Sequence, residues 1–174
     1  MRSPLPLSRR RRDIVFLAFF IINILFITYI VDIEQIVIPE SVTLDPPNFE
    51  YPAWPPKPLV DMVHWWGDNF DPVLLERPVW WRATIWLDAL LFGPYYIVAI
   101  YAFIKGKEWI RIPTFLYSGI LWTNVVIILS EELWGPHATP QSGLVLLANL
   151  PWFVFPILLV WRMWKEHPFS VEEE

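Results

Sequence analysis

Residues 83–103 have the sequence ATIWLDALLFGPYYIVAIYAF, in which Asp88 is the only charged side chain. The stretch is long enough to cross a bilayer, because a helix needs about 20 mostly apolar residues to span the hydrocarbon core. An acidic side chain at bilayer depth is costly, so it usually faces the protein interior and marks a functional site. These residues therefore predict a membrane-spanning helix that carries an acidic site.

The composition also favours a membrane protein. Of the 174 residues, 55% are hydrophobic and 18% are charged, whereas soluble domains contain about 25% charged residues. The absence of cysteine excludes a disulfide framework, a thiolate metal site and a thiol nucleophile. We find no other metal-ligand spacing, no phosphate-binding loop and no nucleic-acid signature. We therefore expect no metal, no cofactor, no nucleic-acid partner and no catalytic residue.

Four segments are long and apolar enough to span a membrane, at residues 14–33, 79–104, 109–129 and 143–161. The first follows a basic run, as a signal peptide would, but it exceeds the usual apolar core of about 7–15 residues and lacks a small-residue cleavage site. We interpret it as a retained span. The sequence thus predicts an all-α membrane protein, with a bundle of four transmembrane helices in a domain at residues 13–165.

The basic residues indicate the orientation. Five arginines lie in the N-terminal tail (residues 1–12), three basic residues follow span two, and two follow span four. Only Lys57, Arg77 and Arg82 fall on the opposite side. Because Lys and Arg are enriched in cytosolic loops, we expect both termini, including the acidic tail at residues 166–174, to be cytosolic. Residues 34–78 are then luminal.

The luminal segment is rich in proline, including Pro46-Pro47 and Pro55-Pro56, and predicts an irregular cap over the bundle. Near-helical spacing of apolar residues at 59–70 predicts one short interfacial helix. Asp71-Pro72 resembles an N-cap followed by proline, which predicts a second short helix. We interpret Asp71 as a structural residue, with ligand binding as the alternative. Glu131-Glu132, at the same end of the bundle, are expected to be solvated.

Polar and aromatic side chains of different spans share faces of their helices. In span one, Asp32 lies on the same face as Thr28, and Asn23 points the opposite way. We predict one ligand pocket lined by Asp32, Asp88, Tyr95, Tyr117, Asn124 and Trp152. The alternatives are a solvated helix end for Asp32, a structural hydrogen bond for Asp88 and contact between helices for Asn124.

Prolines inside the spans predict bent helices around this pocket. Pro94 interrupts span two, and Pro151 and Pro156 interrupt span four. A proline within a helix frees a carbonyl group, which is tolerated at membrane depth only where protein or a cavity covers it. We therefore assign structural roles to these prolines. An aromatic, apolar pocket with a buried acid suits a sterol-like body or an amphiphilic amine.

Several motifs in order resemble the EXPERA-domain family, and its sigma-2 receptor branch in particular. They are DPVLLERPVW at 71–80, WLD at 86–88, YAFIKG at 101–106 and WIRIP at 109–113. The resemblance covers about residues 11–163, and the long proline-rich segment is typical of fungal members. It implies a four-helix bundle in the endoplasmic reticulum membrane, a homodimer, and binding of sterols, oxysterols or cationic amphiphiles.

The resemblance also implies roles for three acids. Asp32 matches the carboxylate that pairs with a ligand amine, Asp88 matches an acid that hydrogen-bonds it, and Asp71 matches an acid important for architecture. Asp88 is one methylene shorter than the glutamate of the animal receptor, so its contact with Asp32 is an open question. The chain also lacks the lysine-rich retrieval signal of the animal receptor.

Two other functions stay open. The sister branch of the family contains a sterol Δ8–Δ7 isomerase, which uses an intramembrane histidine and further glutamates. Here His64, His137 and His167 all lie outside the predicted spans, so we expect a binding protein and not an enzyme. The remaining alternative is a chaperone-like factor for membrane or mitochondrial precursor proteins.

Overall fold

The computed structural model describes residues 2–39 and 50–172. Four of its helices are long and apolar enough to cross a membrane, and each contains one predicted span, which confirms the all-α membrane fold. Pro46-Pro47 and the acidic end at Glu173-Glu174 lie outside the described residues. In chain order the elements are β1 (Arg2–Pro4), α1 (Asp13–Val37), α2 (Lys57–Asn69), α3 (Val73–Glu76), α4 (Val79–Lys105), α5 (Glu108–Trp134), α6 (Ser142–Arg162) and β2 (Ser170–Glu172).

The core between the long helices is largely aromatic. Phe20 of α1 is fully buried and meets Phe103 of α4 edge-on, with ring centroids 5.3 Å apart. Tyr96 of α4 and Tyr117 of α5 continue the same cluster, with centroids 5.6 Å apart. Large rings bury much apolar area and prefer such tilted contacts, so they hold the helices at a defined spacing.

Two of the long helices contain π-helical segments, Asn23–Asp32 in α1 and Asp88–Phe92 in α4. In an α-helix the nine steps from Asn23 to Asp32 would place the two side chains on opposite sides. A π-helix has roughly 4.4 residues per turn, so the same nine steps bring them within about 20° of each other. Asn23 is fully buried and Asp32 nearly so, as this turn allows, whereas the α-helical period predicted the two on opposite faces.

The two π-helical segments pack closely against each other. The closest approach is at Gly93, the residue that directly follows the π-helical segment of α4. A Cβ atom at Gly93 would lie 2.9 Å from the Thr28 side chain of α1, so only glycine allows this approach. Pro94 comes next and lies in the first turn of the second α-helical part of α4, Gly93–Lys105. Pro151 and Pro156 lie within α6, which continues through both.

The described part of the segment between α1 and α4 packs against one end of the bundle. It contains α2 and α3, which correspond to the two short helices that the sequence predicts. The Gln35 side chain donates to the Leu74 carbonyl at 3.1 Å, and the Trp54 indole donates to the Tyr29 carbonyl at 2.8 Å. Because of this cover, α1 continues to Val37, four residues beyond the predicted end of span one.

The two ends of the chain meet at the opposite end of the bundle. Strands β1 and β2 pair antiparallel, with Ser3 opposite Val171. Hydropathy did not predict this pairing, because a strand of three residues is too short to show a periodic pattern. The described parts of the basic and acidic tails therefore form one small structure beside the helices.

Candidate functional site

Asp32 and Asp88 lie against each other between α1 and α4. Asp32 ends the π-helical segment of α1, and Asp88 begins the one in α4. Their carboxyl groups lie close enough to share a hydrogen bond if one of them is protonated, and Thr28 Oγ1 donates to Asp88 Oδ1 at 2.6 Å. Two ionised carboxylates at this distance would repel each other, so a shared proton favours the pair. The shorter aspartate at 88 thus reaches its partner.

Asp32 has fewer donors than Asp88. Its Oδ2 atom is buried and receives no hydrogen bond from an N–H or hydroxyl group of the described residues. Buried polar atoms are nearly always satisfied, and leaving one without a donor costs about 1–3 kcal/mol. The Asp32 carboxyl therefore depends on the proton shared with Asp88 or on a donor that comes from outside the chain.

Next to the acid pair, a hydrogen-bonded chain of side chains joins all four long helices. Tyr117 donates to the Tyr96 hydroxyl at 3.3 Å, and Tyr96 donates to Asn23 Oδ1 at 3.4 Å. The Trp152 indole of α6 donates to the same oxygen at 2.7 Å. Tyr95 stacks on Tyr117, with ring centroids 4.1 Å apart, and donates to Thr114 at 2.9 Å. Asn23 is therefore the central acceptor of this chain.

The structure places five of the six predicted pocket residues in one region. Asp32 and Asp88 touch, Tyr95 and Tyr117 stack, and Trp152 joins them through the shared acceptor. Asn124 is half-buried on α5, and its side chain makes no hydrogen bond to another residue that the structure describes. The ligand-binding roles of all six residues stay predictions.

A cavity of about 500 Å³ opens at the surface of the bundle between α1 and α4, and none of the six predicted pocket residues is part of its lining. Its lining begins one helical turn from each acid, because Gln35 and Ile36 follow Asp32 in α1 and Ile85 precedes Asp88 in α4. The Trp81 indole donates to Gln35 Oε1 at 2.9 Å and closes one side. The full lining is Gln35, Ile36, Ile38, Pro39, Trp81, Arg82, Ile85 and Trp86. Ligand pockets usually have volumes of about 300–1,000 Å³.

Comparison with known proteins identifies the family. Residues 58–163 match the family described as EBP: EXPERA (EXPanded EBP superfamily). The chain belongs to the EXPERA family. It is 30% identical over 148 residues to Sigma intracellular receptor 2 of Xenopus tropicalis, covering 79% of this chain and 86% of that protein. The corresponding human protein is 26% identical over 128 residues, covering 66% of this chain and 73% of its own length.

These matches confirm the resemblance that the motifs indicate. Together with the four long apolar helices, they make this EXPERA protein a multi-pass membrane protein. The matched family segment includes Asp71 and Asp88, whereas Asp32 lies outside it.

A second polar network in this EXPERA protein holds the covering segment to α1. Glu34 is fully buried, accepts from Arg77 Nη2 at 3.0 Å, and lies 2.9 Å from His64 Nε2. Gln35 donates to the other Glu34 oxygen at 2.7 Å. The sequence placed Glu34 and His64 in the luminal segment without a role. Their contact needs residues 30 positions apart, which no local pattern predicts.

A second carboxyl pair joins the covering segment to α5. The short helix begins at Val73 with Pro72 at its N-cap and no side-chain capping hydrogen bond, so the predicted Asp71 N-cap was wrong by one residue. The Asp71 carboxyl lies near the Val73 N–H and the Glu132 carboxyl. Burial raises the pKa of Asp71 from 3.8 to about 6. Glu132 is almost completely buried, so its predicted solvation was wrong. Its partner comes from a segment distant in sequence, which explains the error.

Two further residues of this EXPERA protein's site were missed or misplaced. Tyr96 is fully buried, but it was overlooked beside Tyr95. Asn23 is a polar residue in the middle of an apolar span, and that position alone was a signal of an interior role. This interior role was missed because the α-helical period predicts the wrong face for a residue in a π-helical segment.

Proposed function

We propose that this EXPERA protein binds sterols, oxysterols or cationic amphiphiles at the Asp32–Asp88 pair. The observation that carries the proposal is the buried Asp32 Oδ2 atom, which receives no N–H or hydroxyl donor from the described residues. An ammonium group would donate to this atom and balance the charge of the pair, in the manner of a charge-assisted hydrogen bond. A sterol hydroxyl would supply a neutral donor at the same place.

The neighbouring cavity would hold the apolar body of such a ligand. Ile36, Ile85 and Trp86 supply apolar walls within about one helical turn of the acids, and the opening lies at the surface of the bundle. Sterols and amphiphilic amines share one chemistry, a single polar donor on a large apolar body. The site offers a polar pair and, within about one helical turn, a cavity whose walls combine apolar side chains with the polar Gln35 and Arg82.

The proposed role is binding without turnover. Migration of a ring double bond needs a proton donor and a separate proton acceptor, each within reach of the sterol. The two acids share one hydrogen bond, and the described histidines contact other acids, His64 with Glu34 and His137 with Glu131. The relatives named Sigma intracellular receptor 2 also support a receptor role. Purified protein incubated with a Δ8-sterol should therefore return it unchanged.

The distribution of basic residues supports cytosolic termini, and the family resemblance supports residence in the endoplasmic reticulum. We propose a role in sterol homeostasis or protein trafficking at that membrane. Lipids that co-purify with the protein should include a sterol. Their absence, together with recovery of bound precursor proteins, would favour the chaperone-like alternative.

Binding of a radiolabelled cationic amphiphile to purified variants tests the site. Asp32→Asn should reduce affinity at least about 30-fold, because removing one partner of a buried charge pair costs about 2–5 kcal/mol. Asp88→Asn should reduce it less than about tenfold, because an amide at this position still donates to Asp32. Asp68→Asn, at an exposed position on α2, serves as the control. Equal losses from the first two changes would contradict the assigned roles.

A further inference from the structure

The start of the chain is held against the turn between α4 and α5 by Arg10. Its guanidinium donates to the Phe103 carbonyl at 2.8 Å and to the Leu5 carbonyl at 2.8 Å, and it also pairs with Asp13. The turn contains Gly106 at φ 64°, where an added Cβ atom would lie 3.0 Å from Pro4. The N-terminal arginines therefore have a fixed position at this end of the bundle.

The same arrangement displays a group of cations. Arg9, Arg11 and Arg12 flank the buried Arg10 and are exposed, as are Lys105 and Lys107 on either side of the turn. None of these five side chains pairs with another residue in the described ranges 2–39 and 50–172. We call this group the basic rim (Arg9, Arg11, Arg12, Lys105 and Lys107).

Most acids at this end are already engaged. Asp13 is fully buried and accepts from Arg162 Nε at 2.6 Å as well as from Arg10. Glu108 contacts His167 and accepts from Ser170. Among the described acidic side chains here, Glu166 is the one that is largely exposed. Among the side chains that the structure describes at this end, exposed cations therefore outnumber exposed acids.

Exposed aromatic residues place the basic rim at the level of lipid headgroups. Trp109 begins α5, and Trp161 and Trp164 lie at the end of α6, each with more than half of its surface exposed. Tryptophan is enriched at the boundary between hydrocarbon and headgroups. Ile14, exposed at the start of α1, marks the adjacent apolar surface. The cations beside these residues would face the phosphates of one leaflet.

We infer that the basic rim binds the headgroups of anionic phospholipids in the leaflet that it faces. Arg11 and Arg12 offer forked donors that match phosphate geometry, and Lys105 and Lys107 add charge from a second element. The site differs from the proposed ligand pocket in place and in charge, since that pocket offers carboxyl groups to a cation. Each basic residue near an anionic surface strengthens binding by about fivefold.

The test uses the full chain in lipid nanodiscs and native mass spectrometry of the lipids that stay bound. The discs contain phosphatidylcholine alone, or phosphatidylcholine with a minor fraction of phosphatidylserine or of phosphatidylinositol phosphate. Wild-type protein should retain the anionic lipid in preference to phosphatidylcholine. Higher salt should weaken this preference, because it screens exposed charges. Retention of either anionic lipid supports the proposal.

Two variants locate the site. Arg11→Gln with Lys105→Gln should reduce retention of anionic lipid at least about tenfold, consistent with about fivefold for each cation. Lys57→Gln removes an exposed cation from α2, at the other end of the bundle and outside the proposed ligand pocket, and should change it less than about twofold. Equal losses in both variants, or no preference in wild type, would overturn the proposal. The melting temperature in neutral lipid checks that both variants are folded.

Discussion

Asp71→Asn should stabilise the protein at neutral pH. Asp71 is 6% exposed and pairs with another buried acid, so ionising it in the folded state is unfavourable. An asparagine has the same shape, can accept from the Val73 N–H, and can donate to Glu132 without a shared proton. The change therefore keeps the contacts of the second carboxyl pair and removes the cost of ionising Asp71.

The magnitude follows from the pKa of Asp71. Folding raises it from 3.8 to about 6, so between these values the folded state binds more protons than the unfolded state. Stability therefore falls as the pH rises through this window, and the full cost is present above about pH 6. At about 1.4 kcal/mol for each pH unit, the difference corresponds to about 3 kcal/mol.

The assay is thermal unfolding of purified wild-type and variant protein in detergent between pH 4 and 7.5. The melting temperature of Asp71→Asn should exceed that of wild type by several degrees at pH 7, since each kcal/mol corresponds to about 2–4 °C at this chain length. The difference should shrink as the pH falls toward about 4. Asp68→Asn, which removes an exposed acid from α2, should show no such trend. A variant less stable than wild type at pH 7 would refute the reasoning, because it would mean that the ionised carboxylate is required.

Three further outcomes are expected. Asn23→Leu should lower stability by about 1–3 kcal/mol in thermal unfolding, because it leaves the Trp152 indole without its acceptor; no change would mean that water replaces the amide. Asp13→Asn should cost about 3–5 kcal/mol, because two buried or half-buried arginines lose their partner, while Glu166→Gln at an exposed position should cost little. A glycosylation acceptor inserted near Asn48 should be modified in microsomes. If an acceptor in the N-terminal tail is modified and the one near Asn48 is not, the protein has the opposite orientation.

The spans were predictable because the hydrophobic requirement of a bilayer is local. About 20 apolar residues in sequence are enough to define a span, and the structure has a helix at each of the four predicted places. Asp88 was found for the same reason, since a charge inside such a stretch needs an interior partner. The family resemblance suggested Asp32 as that partner but left the contact between the two acids open.

The remaining site residues depended on information that is not local. Glu132 was expected to be solvated because it lies at the luminal end of a span, but it is buried next to Asp71, which comes from a distant segment of the sequence. His64 lies in a proline-rich region, and its contact with Glu34 forms only when that region packs on α1. Asn23 was assigned to the wrong face because an α-helical period was applied to a π-helical segment. In each case the tertiary fold, and not the local pattern, decided the environment.

The π-helical segments connect the fold to the proposed function. π-Helical turns are rare within α-helices and are frequently found at functional sites. Here the two segments contain both acids of the pair and the central acceptor Asn23, and they pack against each other at Gly93. Regular α-helical turns would turn either Asn23 or Asp32 away from the interior. The irregular backbone is therefore what allows α1 to present an acid and an amide to the same interior space.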